Sequence, residues 1–458
     1  MVREMMNGEQ EIIAKWGSLL SGRQLLWSTL PTELQQDLTL ALKVGHLQQI
    51  EVLPGSRVRG QDRYCQRCDS RLTATARLPN GQFYCTACLA LGRVTQGSWL
   101  VRLANDQLEP VRDQVLTWSG ELTSAQADLT AALLKTYQQG AKVQLLWAVT
   151  GAGKTEITFP LIASYLAQGG RVGFVSPRVD VCNELFPRLQ AAFVGTSVGL
   201  HHGHQHSDSE GEQLVVATIH QLIRYYQAFD LLIVDEVDAF PYVNDPMLER
   251  ALDRAVKPNG QRLYLSATPP AKLRRAARQG RLPLHYLARR FHGRPLIQPR
   301  VVLGEVFQKN SLSQRLRRLL TPWLARGRRL LVFVPQAAAL PQYLAAFSLT
   351  FPQMSCATVH AQDPLRTEKV ADFRAGQGQI LLTTTILERG VTLAHIDVLV
   401  LAADHPNFKV ASLVQIAGRV GRASVDQGDQ VVFFSRYYSW AMGQACHQIK
   451  HLNRLGGF

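Results

Sequence analysis

The stretch Ala148-Val149-Thr150-Gly151-Ala152-Gly153-Lys154-Thr155 constrains this chain more than any other. The apolar run Val143 to Val149 leads into it and reads as a buried strand, and Glu156 to Ala167 follows and reads as a helix. Strand, glycine turn and helix in that order make a P-loop. Such a loop wraps phosphate oxygens with backbone N–H groups, and side chains at Gly151 or Gly153 would block the approach. Lys154 is placed to reach β- and γ-phosphates, and the Thr155 hydroxyl to hold Mg²⁺. The helix N-terminus adds partial positive charge beneath them. Thr150, Ala152 and Glu156 complete the candidate nucleotide-binding set. The pattern ordinarily opens on Gly, and here Ala148 holds that position.

The residues downstream answer that loop. Arg171 to Ser176 is a short apolar strand followed by Pro177-Arg178, and Leu214 to Thr218 is another. Phe229 to Val234 is a third, ending in Asp235-Glu236-Val237-Asp238. A strand ending in two acids puts carboxylates at the sheet edge that holds the P-loop. Asp235 would hold Mg²⁺, and Glu236 would orient and polarise the attacking water. Leu263 to Leu265 then leads into Ser266-Ala267-Thr268, whose Ser266 and Thr268 hydroxyls can bond the acidic strand end. Strand and helix alternate throughout, the rhythm of a parallel α/β sheet. A second series begins with strands at Arg329–Val334, Ser355–Val359, Gln379–Thr383, Val398–Ala402 and Gln430–Phe434, with no second P-loop. Two similar units sharing one phosphate loop predict a paired-lobe motor. Gln415-Ile416-Ala417-Gly418-Arg419-Val420-Gly421-Arg422 supplies its arginines. Arg419 and Arg422, three apart, fall on one helical face and are suited to γ-phosphate charge.

Before the motor lies Cys65-x₂-Cys68-x₁₆-Cys85-x₂-Cys88. Each pair makes a knuckle aiming two thiolates at one tetrahedral ion, and four Cys leave no place for a catalytic water, so the expectation is structural zinc. Pro79-Asn80-Gly81 offers the turn that brings the pairs together. Arg57, Arg59, Arg63, Arg67, Arg71, Arg77 and Arg93 crowd this module, as DNA-phosphate contacts or as a solvated face. The whole chain carries 50 Lys and Arg against 35 Asp and Glu, a net charge of +15 over 458 residues, which points to a polyanionic partner. The seven Cys, odd in number and without a signal-like start, argue against a disulfide framework. No run of apolar residues is long enough to span a membrane.

Other stretches say less. Trp16, Leu19, Leu20, Leu25, Leu26 and Trp27 form a small apolar face without chemistry. Thr123 or Ser124 can cap a helix at Asp128–Tyr137, and the Gln126 amide suits either that cap or an adenine edge. His201, His202, His204 and His206 read as an exposed polar loop rather than a metal set. Lys272 to Arg300 is strongly basic and reads as a lobe edge and linker, DNA-facing or merely solvated.

The ordered set at 148–155, 235–238, 266–268 and 415–422 resembles superfamily 2 helicases over residues 120 to 440. A narrower resemblance rests on Asp235-Glu236-Val237-Asp238-Ala239-Phe240-Pro241, on Val359-His360 ahead of Asp363-Pro364, on Thr384 to Thr392, and on the four-Cys site. These look like the ComFA family of competence proteins. The resemblance implies an α/β fold of two RecA-like parallel-sheet lobes in tandem plus an N-terminal four-Cys zinc module. Expected boundaries are 1–60 (role unassigned), 61–95 zinc module, 96–119 connector, 120–295 first lobe and 296–458 second lobe. It implies a cytoplasmic ATPase, with ATP, Mg²⁺ and structural Zn²⁺, that draws single-stranded DNA through the membrane channel ComEC with ComFC as partner. Carried over by motif, Pro177, Arg178, Thr218, Thr384, Thr385 and Glu388 contact nucleic acid, and Arg389 and Gly390 adjoin the nucleotide. Ile416 stands where many helicases have Arg, one cation fewer for phosphate sensing. A PriA-type primosomal restart helicase is the nearest enzyme alternative, although there the cysteines interrupt the motor. A zinc-dependent DNA-binding scaffold with a vestigial ATPase is the alternative without catalysis. Polarity of translocation and oligomeric state, a homo-oligomer included, stay open.

Overall fold

The computed structural model describes residues 2–45, 47–106, 109–203, 205–206, 211–388, 393, 395–421 and 428–458. Two compact units result, Met1–Leu146 with Thr155–His285 and Trp147–Lys154 with Tyr286–Phe458.

The first unit opens with α1 (Val2–Leu20), β1 (Arg23–Leu26), α2 (Thr32–Val44) and β2 (Glu51–Pro54). A hairpin of β3 (Ser56–Arg59) and β4 (Asp62–Cys65) follows, and then β5 (Trp99–Leu103). β5 lies between β1 and β2 in an antiparallel three-stranded sheet. Amphipathic α1 and α2 close over it, burying Ile12, Ile13, Leu34 and Leu38 against Val101 and Leu103. The apolar face expected at Trp16, Leu19, Leu20, Leu25 and Trp27 belongs to this core, whereas Leu26 turns into the core of the large sheet.

The large sheet is built from β6 (Val143–Ala148), β7 (Val172–Ser176), β8 (Val198–His202), β9 (Gln205–His206), β10 (Leu214–Thr218), β11 (Phe229–Val234), β12 (Val256–Ser266) and β13 (Leu284–Leu287). The intervening helices are α3 (Ser124–Gln138), α4 (Lys154–Ala167), α5 (Val179–Ala192), α6 (Pro246–Ala255) and α7 (Ala271–Arg278). Strand order is β13-β6-β12-β11-β7-β10-β8-β9, with β12, β11, β7, β10 and β8 parallel in sequence. Val-Gly-Phe-Val-Ser of β7 is buried throughout, as a parallel strand covered on both faces must be.

One expectation is overturned in this sheet. His201 and His202 are not on an exposed loop but lie buried on β8. His201 Nε2 sits 3.0 Å from Glu212 Oε1, and His202 Nε2 2.9 Å from Asn183 Oδ1. Glu212, fully buried, also faces Arg171 at 3.7 Å and Arg23 at 4.0 Å. The two histidines satisfy buried polar groups, which polar spacing alone does not distinguish from a loop. His206 falls on β9, and His204 lies outside the described residues.

In the second unit, strands β14 (Arg300–Leu303), β15 (Phe307–Gln308), β16 (Ser311–Leu312), β17 (Arg329–Phe333), β18 (Cys356–Val359), β19 (Ile380–Thr383), β20 (Ile396–Leu401) and β21 (Val431–Ser435) alternate with helices. The helices are α8 (Gln314–Ala325), α9 (Leu340–Thr350), α10 (Arg366–Ala375), α11 (Val410–Ala417) and α12 (Trp440–Leu455). Six strands pair in the order β14-β21-β20-β17-β19-β18, every pair parallel. The five strands read from sequence are all present, shifted at their ends by a residue or two.

A buried charge triad ties the start of this sheet together. Arg328 donates to both Asp397 oxygens at 3.1 Å and also pairs with Asp429. Asp397 further accepts from the Gln430 N–H at 2.8 Å, and Asp429 from the Gly421 N–H at 3.1 Å. Burial still holds the Asp397 carboxyl above the usual carboxylate range, although Arg328 pulls it down. Arg328→Met removes the cation and leaves two buried acids, so it should destabilise the chain by roughly 3–5 kcal/mol. A urea-unfolding midpoint equal to wild type contradicts this.

Candidate nucleotide, zinc and nucleic-acid sites

β6 delivers the P-loop to the carboxyl edge of the large sheet. Ala148 is fully buried within β6, so the position where glycine is usual accommodates a methyl group in the core. Gly151 and Gly153 have φ of +77° and +75°, the left-handed region where a Cβ is strained. Apart from its own chain neighbours, no atom among the described residues lies within 4 Å of where a Gly151 Cβ would stand, so phosphate has an open approach there. Lys154 begins α4 and Thr155 follows it, largely buried. These residues fit a bound nucleotide phosphate with Mg²⁺. Glu156 is turned to Arg188 of α5, an ion pair in which Arg188 also meets Glu184 at 3.6 Å.

Two strands along, β11 leads into Asp235, whose N–H donates to the Val175 carbonyl of β7 at 2.8 Å. Asp235 Oδ1 accepts from the Glu236 N–H at 2.8 Å. Glu236 adopts φ +54°, a conformation that costs a non-glycine residue free energy and clusters at working sites. The expected hydroxyl link is present and falls on Asp238. Ser266 Oγ donates to Asp238 Oδ1 at 2.6 Å, and Thr268 Oγ1 to Oδ2 at 2.5 Å. The acidic turn after β11 and the hydroxyl turn after β12 are therefore one hydrogen-bonded unit.

Gln126 forms a capping box with Thr123. Its Oε1 accepts from Thr123 N–H at 2.9 Å and Thr123 Oγ1 accepts from Gln126 N–H at 3.4 Å. The helix it starts, α3, runs from Ser124 to Gln138, longer at both ends than the sequence indicates.

The second unit brings Gln415, Gly418 and Arg419 to the end of α11, with Gln415 and Arg419 buried. Arg419 Nε donates to the Glu388 carbonyl at 2.9 Å. Within the same unit Thr150 Oγ1 donates to the Gly418 carbonyl at 3.3 Å, and a Cβ on Gly418 would lie 2.0 Å from that hydroxyl. Arg290 falls in the basic stretch that the sequence presents as a lobe edge and linker. It is instead buried, donating to the Val420 carbonyl at 2.7 Å and to the Gly421 carbonyl. A single Arg among nine basic residues carries no sequence mark of that role. Arg389, Gly390 and Arg422 lie outside the described residues.

Of the expected nucleic-acid contacts, Arg178 sits at the N-terminus of α5, 3.6 Å from Asp180, just beyond Pro177. Thr218 ends β10 and is buried. Thr384, Thr385 and Glu388 follow β19 at the carboxyl edge of the second sheet.

The four cysteines come together as the spacing requires. Their sulfurs all lie within 4.8 Å of one another, with Cys65–Cys88 at 3.8 Å and Cys68–Cys85 at 3.6 Å. A tetrahedron with Zn–S of about 2.3 Å has edges of about 3.8 Å, so the set fits Zn²⁺. The expectation of a phosphate-facing or solvated side chain is corrected for Arg67. It is 2% exposed, its Nε donates to Cys88 Sγ at 3.4 Å, and its other nitrogens reach the carbonyls of Cys88, Leu91 and Gly92. Arg57 and Arg71 are held by Asp69 and Asp62, each at 2.6 Å, and Arg77 and Arg93 lie over Phe83 and Tyr84. The knuckle carbonyls in turn receive arginines from α6 and from β5. Arg250 Nε of α6 donates to Cys68 O at 3.2 Å, Arg254 to Arg67 O, and Arg102 of β5 to Gln66 O at 2.6 Å. Burial lowers the Arg102 pKa to about 10, with the neighbouring Arg254 cation adding to the effect. Gln24 bridges Arg67 O at 3.1 Å and Ile223 O at 2.6 Å, just past Thr218. The cysteines share one core with Leu222, Ile223, Leu248 and Leu252.

Tandem parallel sheets, one P-loop and a paired-acid strand end define an ATP-hydrolysing enzyme of helicase superfamily 2, with zinc- and DNA-binding character. Residues 119–271 match the family described as type III restriction enzyme, res subunit, and 311–424 the helicase conserved C-terminal domain. The chain belongs to the ComFA family of competence proteins. It is 39% identical over 411 residues to Competence protein ComFA of Streptococcus pneumoniae, covering 89% of this chain and 94% of that one. It is 39% identical over 378 residues to that of Bacillus subtilis, covering 82% and 81%. Among solved structures, Mycobacterium smegmatis Lhr shares the fold with TM-score 0.53 at 20% identity, covering 73% of this chain and 48% of that one. RecG shares it with TM-score 0.51 at 19% identity, covering 74% and 45%. The helicase domains imply ATP and Mg²⁺. Among the described residues no helix is long and apolar enough to cross a membrane.

Because the knuckle carbonyls hold α6 and β5, removing the metal should loosen the first unit as a whole. Treatment with a zinc chelator should release one Zn²⁺ per chain and lower the thermal midpoint, and Cys88→Ser should do the same without chelator. Stoichiometric release with an unchanged midpoint contradicts an integral site.

Proposed function

We propose that this chain is an ATP-dependent translocase of single-stranded DNA that drives transforming DNA across the cytoplasmic membrane. The observation that carries it is the arrangement of β12, β11 and β7 as neighbours. Their carboxyl ends bear the hydroxyl turn at Ser266, the acids at Asp235 and Glu236, and Pro177-Arg178. A change at the acids on phosphate release thus lies one strand away from a candidate grip on the polymer.

In this reading Gly151, Ala152, Gly153, Lys154 and Thr155 hold the triphosphate, with Thr150 and Glu156 beside them and Gln126 against the adenine. Thr155 and Asp235 bind Mg²⁺. Glu236 takes a proton from the attacking water as its oxygen bonds to the γ-phosphorus and the bond to ADP breaks. Gln415, Arg419 and Arg422 offset the charge that develops, and Arg389 and Gly390 adjoin the nucleotide. Pro177, Arg178 and Thr218 of the first lobe (120–295) and Thr384, Thr385 and Glu388 of the second (296–458) hold the strand. Phosphate contacts dominate, so affinity falls steeply with salt. The named relatives support a role in competence; ComFC and the channel ComEC are the partners, and the inner face of the membrane the position, that this reading assigns. The cysteines preceding the motor disfavour a PriA-type restart helicase, and the complete acid pair with Lys154 disfavours a vestigial scaffold.

Lys154→Ala should abolish hydrolysis. Glu236→Gln should slow it by roughly 10²–10⁴ while ATP stays bound, read by phosphate release beside retention of labelled ATP. Wild-type turnover in either variant sinks the assignment.

A further inference from the structure

We infer that the exposed face of α12, with the loop before it, is a base-stacking track for the single strand; this rests on the translocase reading above. The loop Arg436-Tyr437-Tyr438-Ser439 leaves β21 and enters α12 at Trp440. Tyr437, Tyr438 and Trp440 are 62%, 60% and 74% exposed, three aromatics within four residues. Aromatics such as Trp99 and Phe240 are exposed singly elsewhere, which is ordinary, but a cluster calls for an occupant.

The cluster is displayed on a pinned backbone. Ser435 Oγ, fully buried, donates to the Tyr437 carbonyl at 2.7 Å, and Tyr437 N–H reaches Asp404 Oδ2 at 3.4 Å. Ser439 Oγ caps the helix by accepting from Met442 N–H at 3.3 Å. Little conformational freedom is left to lose when a flat ligand lands there. The Arg436 guanidinium lies over the Tyr437 ring, 5.2 Å from its centroid, and pairs with Glu305 at 2.9 Å.

Charge selects the occupant. Helix α12 contains no Asp or Glu. It buries Met442, Ala445, Ile449 and Leu452, and from Trp440 its solvent side continues through Gln444, His447, Lys450, His451 and Arg454. At 1.5 Å per residue that stripe runs about 21 Å. Aromatic platforms leading into a cationic groove are how proteins hold single strands without reading sequence. The carboxyl edge that carries Tyr437 also carries Thr384, and α12 packs on α11, the helix of Gln415 and Arg419. A strand seated on α12 is thereby coupled to the arginine motif.

Fluorescence anisotropy with labelled oligothymidylate of about 20 nucleotides tests this in the full chain. Tyr437→Ala/Trp440→Ala should weaken binding roughly ten-fold or more, and Tyr437→Phe/Trp440→Phe should restore it. An abasic strand of equal length should bind wild type as weakly as the alanine variant binds thymidylate, and should lose nothing further in that variant. Lys450→Glu/Arg454→Glu should flatten the salt dependence of log K by about 1–2. Hydrolysis without polymer should be unchanged in all variants. Wild-type affinity and salt slope in both variant pairs overturn the track alone. A wild-type chain that binds no thymidylate overturns the translocase reading and the track with it.

Discussion

A parallel strand ends with backbone groups that no neighbour completes, and the residues just past it must supply partners. In this protein nearly all of the candidate site residues occupy those ends. Val149 to Gly153 turn away from β6 with two residues in the left-handed region. Glu236 turns away from β11 in the same strained region, held by the Asp235 carboxylate. Ser266 at the end of β12 and Thr268 just past it complete Asp238. In the second sheet Thr384 follows β19, and the Ser435–Tyr437 loop follows β21. Apolar strands buried on both faces set the positions, and polar turns at one edge carry the candidate residues.

The zinc module meets the same constraint differently. Its knuckles expose carbonyls, and three of them accept from Arg102, Arg250 and Arg254. Arg102 in particular cannot be released cheaply, because it is also a cation kept from solvent. The metal site is consequently part of the frame on which α6 and the segment past Thr218 rest. Arg67, donating to Cys88 Sγ, steadies the thiolate charge from within.

Much of this was legible from residue order. The P-loop, the acid strand end, the Ser-Ala-Thr turn and the four cysteines each have a spacing dictated by the ligand they serve. The parallel lobes follow from short apolar runs alternating with helices. What stayed hidden was burial of charge. Arg67 and Arg290 look like their exposed neighbours in a list of basic residues, yet each is committed to carbonyls. His201 and His202 read as a polar loop because Glu212 and Asn183, their partners, are remote in sequence. Gln126 was open between cap and adenine, and the capping box with Thr123 is present. Such partnerships depend on tertiary neighbours that periodicity does not encode.

The most direct test of the account compares ATP hydrolysis with no polymer, single-stranded DNA, duplex DNA and RNA at one salt concentration, since salt alone shifts binding by orders of magnitude. Strong stimulation by single-stranded DNA, with little from duplex or RNA, is the expected result. Preference for RNA or duplex, or hydrolysis indifferent to every polymer, would contradict a single-strand motor.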